Sequence, residues 1–193
     1  MTVDGRRARG AATRQAIVDG ALTVVAAEGV EGLSHRAAAA QAGVSLASTT
    51  YHFASLGDLY LAVFAESARR VRDDQLALRE RVTAHEVDPA DACVDLILHQ
   101  IGPGREATVT LIGMLQWASR RSDAKPLVQA WRRELGDTLL PVYRDEARAR
   151  GVALGIRGLV ADALLADPPP TRAELAPVVR AILFGNSAPP PSH

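Results

Sequence analysis

The chain has 193 residues, 48% of them apolar, which is enough to bury a core and excludes wholesale disorder. Its 22 basic and 22 acidic side chains cancel, so affinity for nucleic acid has to come from a local patch rather than an overall field. A lone cysteine, Cys93, excludes an internal disulfide and a cysteine-built zinc site, and no run approaches the ~18 consecutive apolar residues of a membrane span. A reducing cytoplasm fits that cysteine usage, and MTVDGRRARG, with no apolar run after its charges, does not read as a secretory signal.

Taken in chain order, residues 1–10 read as a flexible basic arm with Arg6, Arg7 and Arg9. From Ala11 to Glu28, Ile17, Ala21, Val24 and Val25 recur at helical spacing, and Gly29 and Gly32 end that helix. Ser34 caps a short helix, His35 to Ala42, closed by Gly43, and Ser45 caps another, Leu46 to His52. Ser55 with Asp58 resembles a capping box and opens a long helix with an apolar stripe of Leu56, Leu59, Tyr60, Val63, Phe64 and Val71. Asp88-Pro89 starts a helix running to about Gln100, stopped by Gly102-Pro103-Gly104, and the next runs from Arg105 to Ser119. Pro126 opens a helix expected to reach Arg150 with a bend near Pro141. Another follows Gly151 and ends before Pro168-Pro169-Pro170. Thr171 with Glu174 is a capping box for a last helix ending at Phe184-Gly185. Residues 186–193 read as a proline-rich, disordered tail. No strand pattern or internal repeat competes, so the expected fold is all-α.

Two short capped helices joined by Gln41-Ala42-Gly43-Val44-Ser45, with a third helix before them, are the parts of a helix-turn-helix. Gly43 suits a left-handed turn, Val44 is expected to plug the core, and Ala38, Ala39 and Ala42 allow close helix crossing. An ordinary helical hairpin satisfies the same spacing. The run from Leu33 to Asp58, LSHRAAAAQAGVSLASTTYHFASLGD, resembles the DNA-binding signature of the TetR family of regulators. The resemblance rests on the Ser34 cap, Ala-Gly-Val-Ser at 42–45, Thr50-Tyr51-His52-Phe53 and Ser55, with Thr13-Arg14-Gln15 and Ile17 upstream. It covers residues 13 to about 64.

The resemblance implies an N-terminal three-helix DNA-binding unit (residues 11–55) followed by a helical ligand-sensing and dimerisation domain (residues 56–185). Its expected partners are a double-stranded operator, a small-molecule effector and a second copy of the chain, with no membrane, cofactor or metal. Two departures matter. Leu56 stands where the family often has a phosphate-contacting lysine, and Thr50 where it commonly has a tyrosine. The expected DNA contacts are His35, Arg36, Ser45, Leu46, Ala47, Ser48, Thr50, Tyr51 and His52. Hydroxyls here suit base edges or phosphates, and Leu46 or Ala47 suits a thymine methyl. His35 and Arg36 sit at a helix N-terminus, where phosphate binds readily. Thr49 and Phe53 are expected to face the core.

In the second half, Ile97, Ile101, Leu111, Met114, Leu115, Trp117 and Trp131 are candidates for lining an effector cavity, although such residues also serve simply as core. Asp91, Asp95 and His99 share a helix face at a spacing a metal can use, but an exposed charged face explains them as well. No phosphate loop, nucleophile elbow or paired-carboxylate motif points to an enzyme. A helical enzyme, and an interaction protein whose helix-turn-helix does not bind DNA, remain as alternatives. Dimerisation is expected through the helices around 126–150 and 152–166, with Ile156, Leu159, Val160, Ala163 and Leu164 forming the face and Gly155 and Gly158 permitting close approach.

Overall fold

A computed structural model describes residues 3–143 and 145–185. Among them are nine α-helices, one short 3-10 turn (Val30–Gly32) and no strand. The helices are α1 (Val3–Glu28), α2 (His35–Ala42), α3 (Leu46–His52), α4 (Leu56–Thr83), α5 (Pro89–Ile101), α6 (Arg105–Ala118), α7 (Lys125–Tyr143), α8 (Glu146–Leu165) and α9 (Arg172–Phe184). The chain divides into two compact units. One comprises the residues up to Arg70 with Glu106–Val128; the other comprises Val71–Arg105 with the residues from Gln129 onward. The division falls inside α4 and α7.

In the first unit α1 buries Ile17, Val18, Ala21, Leu22, Val24 and Val25, while α4 contributes Leu59, Val63 and Phe64. Each of these side chains larger than alanine contributes about 1.5–3 kcal/mol by leaving water. Polar ties run along α4 and from α4 to its neighbours in this unit. Arg69 grips Glu66 through Nε and Nη2 (2.9 and 2.8 Å), Arg70 Nε donates to the same carboxylate at 2.9 Å, and Arg70 also pairs with Asp19 of α1. The Arg69 hydrogen bond, against the opposing effect of burial, holds the Glu66 carboxyl below its usual range. Tyr60 donates its hydroxyl to the Val30 carbonyl at 3.1 Å, and its ring lies 4.9 Å from that of Trp117. Thr110 of α6 donates to the Leu22 carbonyl at 3.3 Å.

The second unit is built on α5, α8 and α9, whose core contains Val94, Ile97, Val152, Val160, Leu175, Val179 and Leu183. Asp88 caps α5 by accepting from Ala90 and Asp91 N–H (2.9 and 3.2 Å), and Thr171 with Glu174 forms the capping box of α9. At the other end of α9 the Leu183 carbonyl accepts from Tyr143 Oη (3.3 Å) and Arg148 Nη2 (2.8 Å). Burial pushes the Tyr143 phenol up to about 12, which keeps that donor protonated.

Several expectations are corrected. Residues 3–10 continue α1 rather than forming a flexible arm. The arginines there are good helix formers, and glycine costs a helix only about 1 kcal/mol at Gly5 or Gly10. The helix expected to run from Pro126 to Arg150 ends at Tyr143. Asp145 then accepts from Ala147 and Arg148 N–H (2.9 and 3.2 Å) and starts α8, leaving Gly151 inside that helix. The expected dimer face is mostly internal. Val160 and Ala163 are buried, and Ile156, Leu159 and Leu164 pack against the core of their own unit. A Cβ on Gly155 would meet Ile182 of α9 at 2.9 Å, whereas one on Gly158 would meet open space. The expected tail, 186–193, lies outside the described residues.

Candidate nucleic-acid interface

Local sequence chemistry builds the helix-turn-helix. Ser34 Oγ accepts from Ala37 N–H at 3.1 Å and starts α2. Gly43 ends it in the left-handed region (φ 66°, ψ 30°), which lets Val44 N–H reach the Ala39 carbonyl at 3.0 Å. Ser45 Oγ accepts from Ser48 N–H at 3.1 Å and starts α3. Ser55 and Asp58 then cap α4 reciprocally: Ser55 N–H donates to the Asp58 carboxylate at 2.9 Å and Asp58 N–H donates to Ser55 Oγ at 3.1 Å.

The faces of α3 divide sharply. Thr49 and Phe53 are enclosed, as expected, and Val44 is half-buried. Leu46, Ala47, Thr50 and Tyr51 are exposed on the opposite side, at positions i, i+1, i+4 and i+5. Tyr51 is 85% exposed, so core packing does not explain a large aromatic there. Of the other expected contacts, Arg36 and Ser45 are exposed, while His35, Ser48 and His52 are half-buried.

The geometry also restricts what several of these groups can do. Thr50 Oγ1 donates back to its own helix, to the Leu46 and Ala47 carbonyls at 3.2 and 3.1 Å, and so offers DNA an acceptor rather than a donor. Ser45 is committed to its cap, although its hydroxyl proton is free to turn outward. His35 Nδ1 is enclosed without a hydrogen-bond partner, so only Nε2 of this half-buried ring is left to meet a phosphate. His52 lies edge-on to Tyr51 with ring centroids 5.2 Å apart, which restricts both.

Arg14 belongs with this group, although only its place in the motif signalled it. Its guanidinium sits 4.8 Å from the centroid of Phe53, at the end of α3, and its side chain is exposed. A basic group on α1 thus stands beside a recognition helix that has no lysine or arginine of its own. Sequence spacing could not show this, because Arg14 and Phe53 are far apart along the chain.

The candidate cavity residues are distributed over both units. Leu111, Met114, Leu115 and Trp117 belong to the first unit, and Ile97, Ile101 and Trp131 to the second. Ile97 is core, packed among α5, α8 and α9, and Met114 is fully buried. Trp117 lies between Tyr60 and the Arg121 guanidinium, which is 5.0 Å from its ring. Trp131 lies 3.6 Å from the guanidinium of Arg157.

The metal-like spacing on α5 is used otherwise. Asp95 pairs with Arg172, and His99 Nε2 faces Asp74 at 3.3 Å. Among the described residues no three ligand-type side chains converge. Burial pushes the Cys93 thiol up to about 11, so it is not an activated nucleophile. No helix of the described residues is long and apolar enough to cross a membrane.

No protein-family model matches the chain, and no curated protein does. Solved structures do. EbrR, a multidrug binding protein complexed with malachite green, is 31% identical, with 88% of this chain and 96% of that chain covered and a TM-score of 0.65. EbrR has also been solved with proflavin and with ethidium. SCO1917 from Streptomyces coelicolor A3, a member of the TetR family, is 29% identical over 88% of this chain and 97% of that chain, with a TM-score of 0.75. SCO7518 from Streptomyces coelicolor A3(2), a putative transcriptional regulator, is 27% identical over 89% and 98%, with a TM-score of 0.69.

Proposed function

Because the chain belongs to the TetR family of transcriptional regulators, we propose that it is a repressor that binds a palindromic operator as a homodimer and is released by a small-molecule effector. The observation that carries the DNA half is the outward face of α3: Leu46, Ala47, Thr50 and Tyr51 are exposed on a short helix held rigidly by two caps and by the enclosed Thr49 and Phe53. Seated in the major groove, that face offers two apolar contacts for thymine methyls, an acceptor at Thr50 and the Tyr51 hydroxyl. Arg14, Arg36 and Nε2 of His35 supply the phosphate contacts that set register.

The effector half draws on likeness. EbrR has been solved with aromatic dyes, and an aromatic effector is the corresponding reading for this chain. Binding among the helices of residues 56–185 shifts α4, which follows α3 through Phe53, and the two reading heads fall out of register with successive grooves. A preference of about 1–3 kcal/mol for the DNA-free state is enough to change occupancy.

The test is a fluorescence-anisotropy titration of the palindrome nearest the gene against the parent chain, Tyr51→Ala and Arg36→Ala. Tyr51→Ala should weaken binding by about 1–3 kcal/mol while leaving the fold intact, and Arg36→Ala should weaken all duplexes alike and reduce the salt slope by about one. Unchanged affinity in both variants would place another helix in the groove.

A further inference from the structure

Arg157 is the one charged side chain of α8 whose guanidinium is enclosed without a counterpart. Its Nε and Nη2 are both buried and have no hydrogen-bond partner, and no carboxylate of the described residues pairs with it. Its central carbon lies over the indole of Trp131, 3.6 Å from the ring centroid, in cation–π contact. The nearby charge that acts on it is Arg132, which repels it. Burial pushes the guanidinium down to about 10, still well above neutrality, so it is a cation in the working protein.

An enclosed, unpaired cation costs several kcal/mol after relaxation, and a fold does not gain from one by packing alone. Two other arginines of the chain show what it lacks. Arg69 grips Glu66 with the same two atoms, Nε and Nη2, at 2.9 and 2.8 Å. Arg121 does so with Asp123 at 3.0 and 2.7 Å. The empty edge on Arg157 is therefore the edge that takes both oxygens of one carboxylate. Trp131, which lies against the guanidinium, is itself half-buried.

We propose that Arg157 and Trp131 are the anchor for the effector's anionic group, and that the effector is a small aromatic carboxylate rather than a neutral or cationic compound. This rests on the reading of the chain as effector-responsive and names the class of effector. The Arg157 fork binds the carboxylate in two parallel hydrogen bonds, and the indole of Trp131 holds the guanidinium in cation–π contact. Arg132 adds to the positive potential at the site.

The experiment is calorimetry of the full chain with three probes of one shape: naphthoate, naphthalenemethanol and naphthylmethylammonium. Naphthoate should bind at least roughly tenfold tighter than the alcohol, which is about 1.4 kcal/mol, and the ammonium should bind weakest. Arg157→Met should erase that order, while Arg157→Lys, a point charge without the fork, should keep part of it. Arg157→Met should also melt no lower than the parent, because it removes an unpaired buried charge. Equal affinity for naphthoate and the alcohol, no binding of any probe, or a carboxylate preference that survives Arg157→Met would each overturn the proposal. So would an Arg157→Met chain that falls to monomers with naphthoate binding unchanged, since Arg157 would then serve a carboxylate of a second copy.

The two readings fail differently. If the alcohol binds and releases operator DNA as well as naphthoate does, the effector reading stands and the anion anchor falls. If naphthoate binds through Arg157 yet DNA affinity stays flat, the anchor stands and the effector reading falls.

Discussion

A hydroxyl enclosed without a partner has given up its water for nothing, and Thr49 carries one in the middle of α3. Replacing it with valine keeps the branched shape and removes the orphaned oxygen, so Thr49→Val should stabilise the fold by about 1 kcal/mol. DNA affinity should not change, because the position faces inward. Urea unfolding and operator titration of the same variant check both halves, and a loss of stability would mean that the hydroxyl has a partner inside. The inward orientation of Thr49 and Phe53 was legible in the sequence, because a short helix with caps at fixed positions has only one way to present its apolar side. The state of His35 was not. It reads as an exposed residue at a helix start, yet its Nδ1 is enclosed, and what encloses it comes from folding rather than from its neighbours in sequence. Arg157 was missed for the same reason: an arginine on a helical pattern reads as a solvated face, and only the fold brings Trp131 of α7 against it.

Caps made the helices readable. Ser34, Ser45, Asp88 and Thr171 each accept the backbone donors that their positions announce, and the Ser55–Asp58 pair closes reciprocally even with aspartate in place of the usual glutamate. Asp145 was overlooked because the helical pattern on either side of it appeared continuous, so its capping role was masked by periodicity. Glycines inside helices were harder still. Gly20 in α1 reads as a small helix-weakening residue, but a Cβ there would lie 2.8 Å from the backbone nitrogen of Ala42 and 3.1 Å from the Ala38 carbonyl. It is where α1 and α2 cross, and the atoms it would strike are backbone, which cannot swing aside. Gly20→Ala should therefore lose about 1–3 kcal/mol to overpacking, more than the helix-propensity gain of about 1 kcal/mol returns. Because α2 carries the turn and α3, the same variant should lose operator affinity as well as stability. Gly10→Ala, which meets nothing within 4 Å, is the control and should stabilise. A Gly20→Ala chain as stable as the parent would show that the crossing is looser than these distances.

At the scale of the whole molecule, helical content followed from sequence, but which apolar groups of α8 stay outside did not. The apolar face of α8 was assigned outward because a helix wheel shows that a face exists, not which neighbour takes it. In the structure α5 and α9 take it, and the apolar groups left outside are Leu154 (52% exposed) and Leu165 on α8 and Val178 (44% exposed) on α9. Leu154, Gly158, Ala161 and Leu165 fall at i, i+4, i+7 and i+11, a single stripe along α8, and the open space beside Gly158 lets a neighbouring backbone come close. Exposed leucines in register on a long helix are wasted in a monomer, and a two-fold partner presenting the same stripe would cover them. Leu154→Arg with Val178→Glu should yield monomers in sedimentation velocity, with each helix-turn-helix still folded by circular dichroism. Half-site binding should persist weakly, while affinity for the full palindrome should fall by about 10²–10⁴-fold, the gain that linking two reading heads supplies. A double variant that still sediments as a dimer would move the interface to another surface of the second unit, whereas a monomer with undiminished palindrome affinity would show that the two heads read DNA independently.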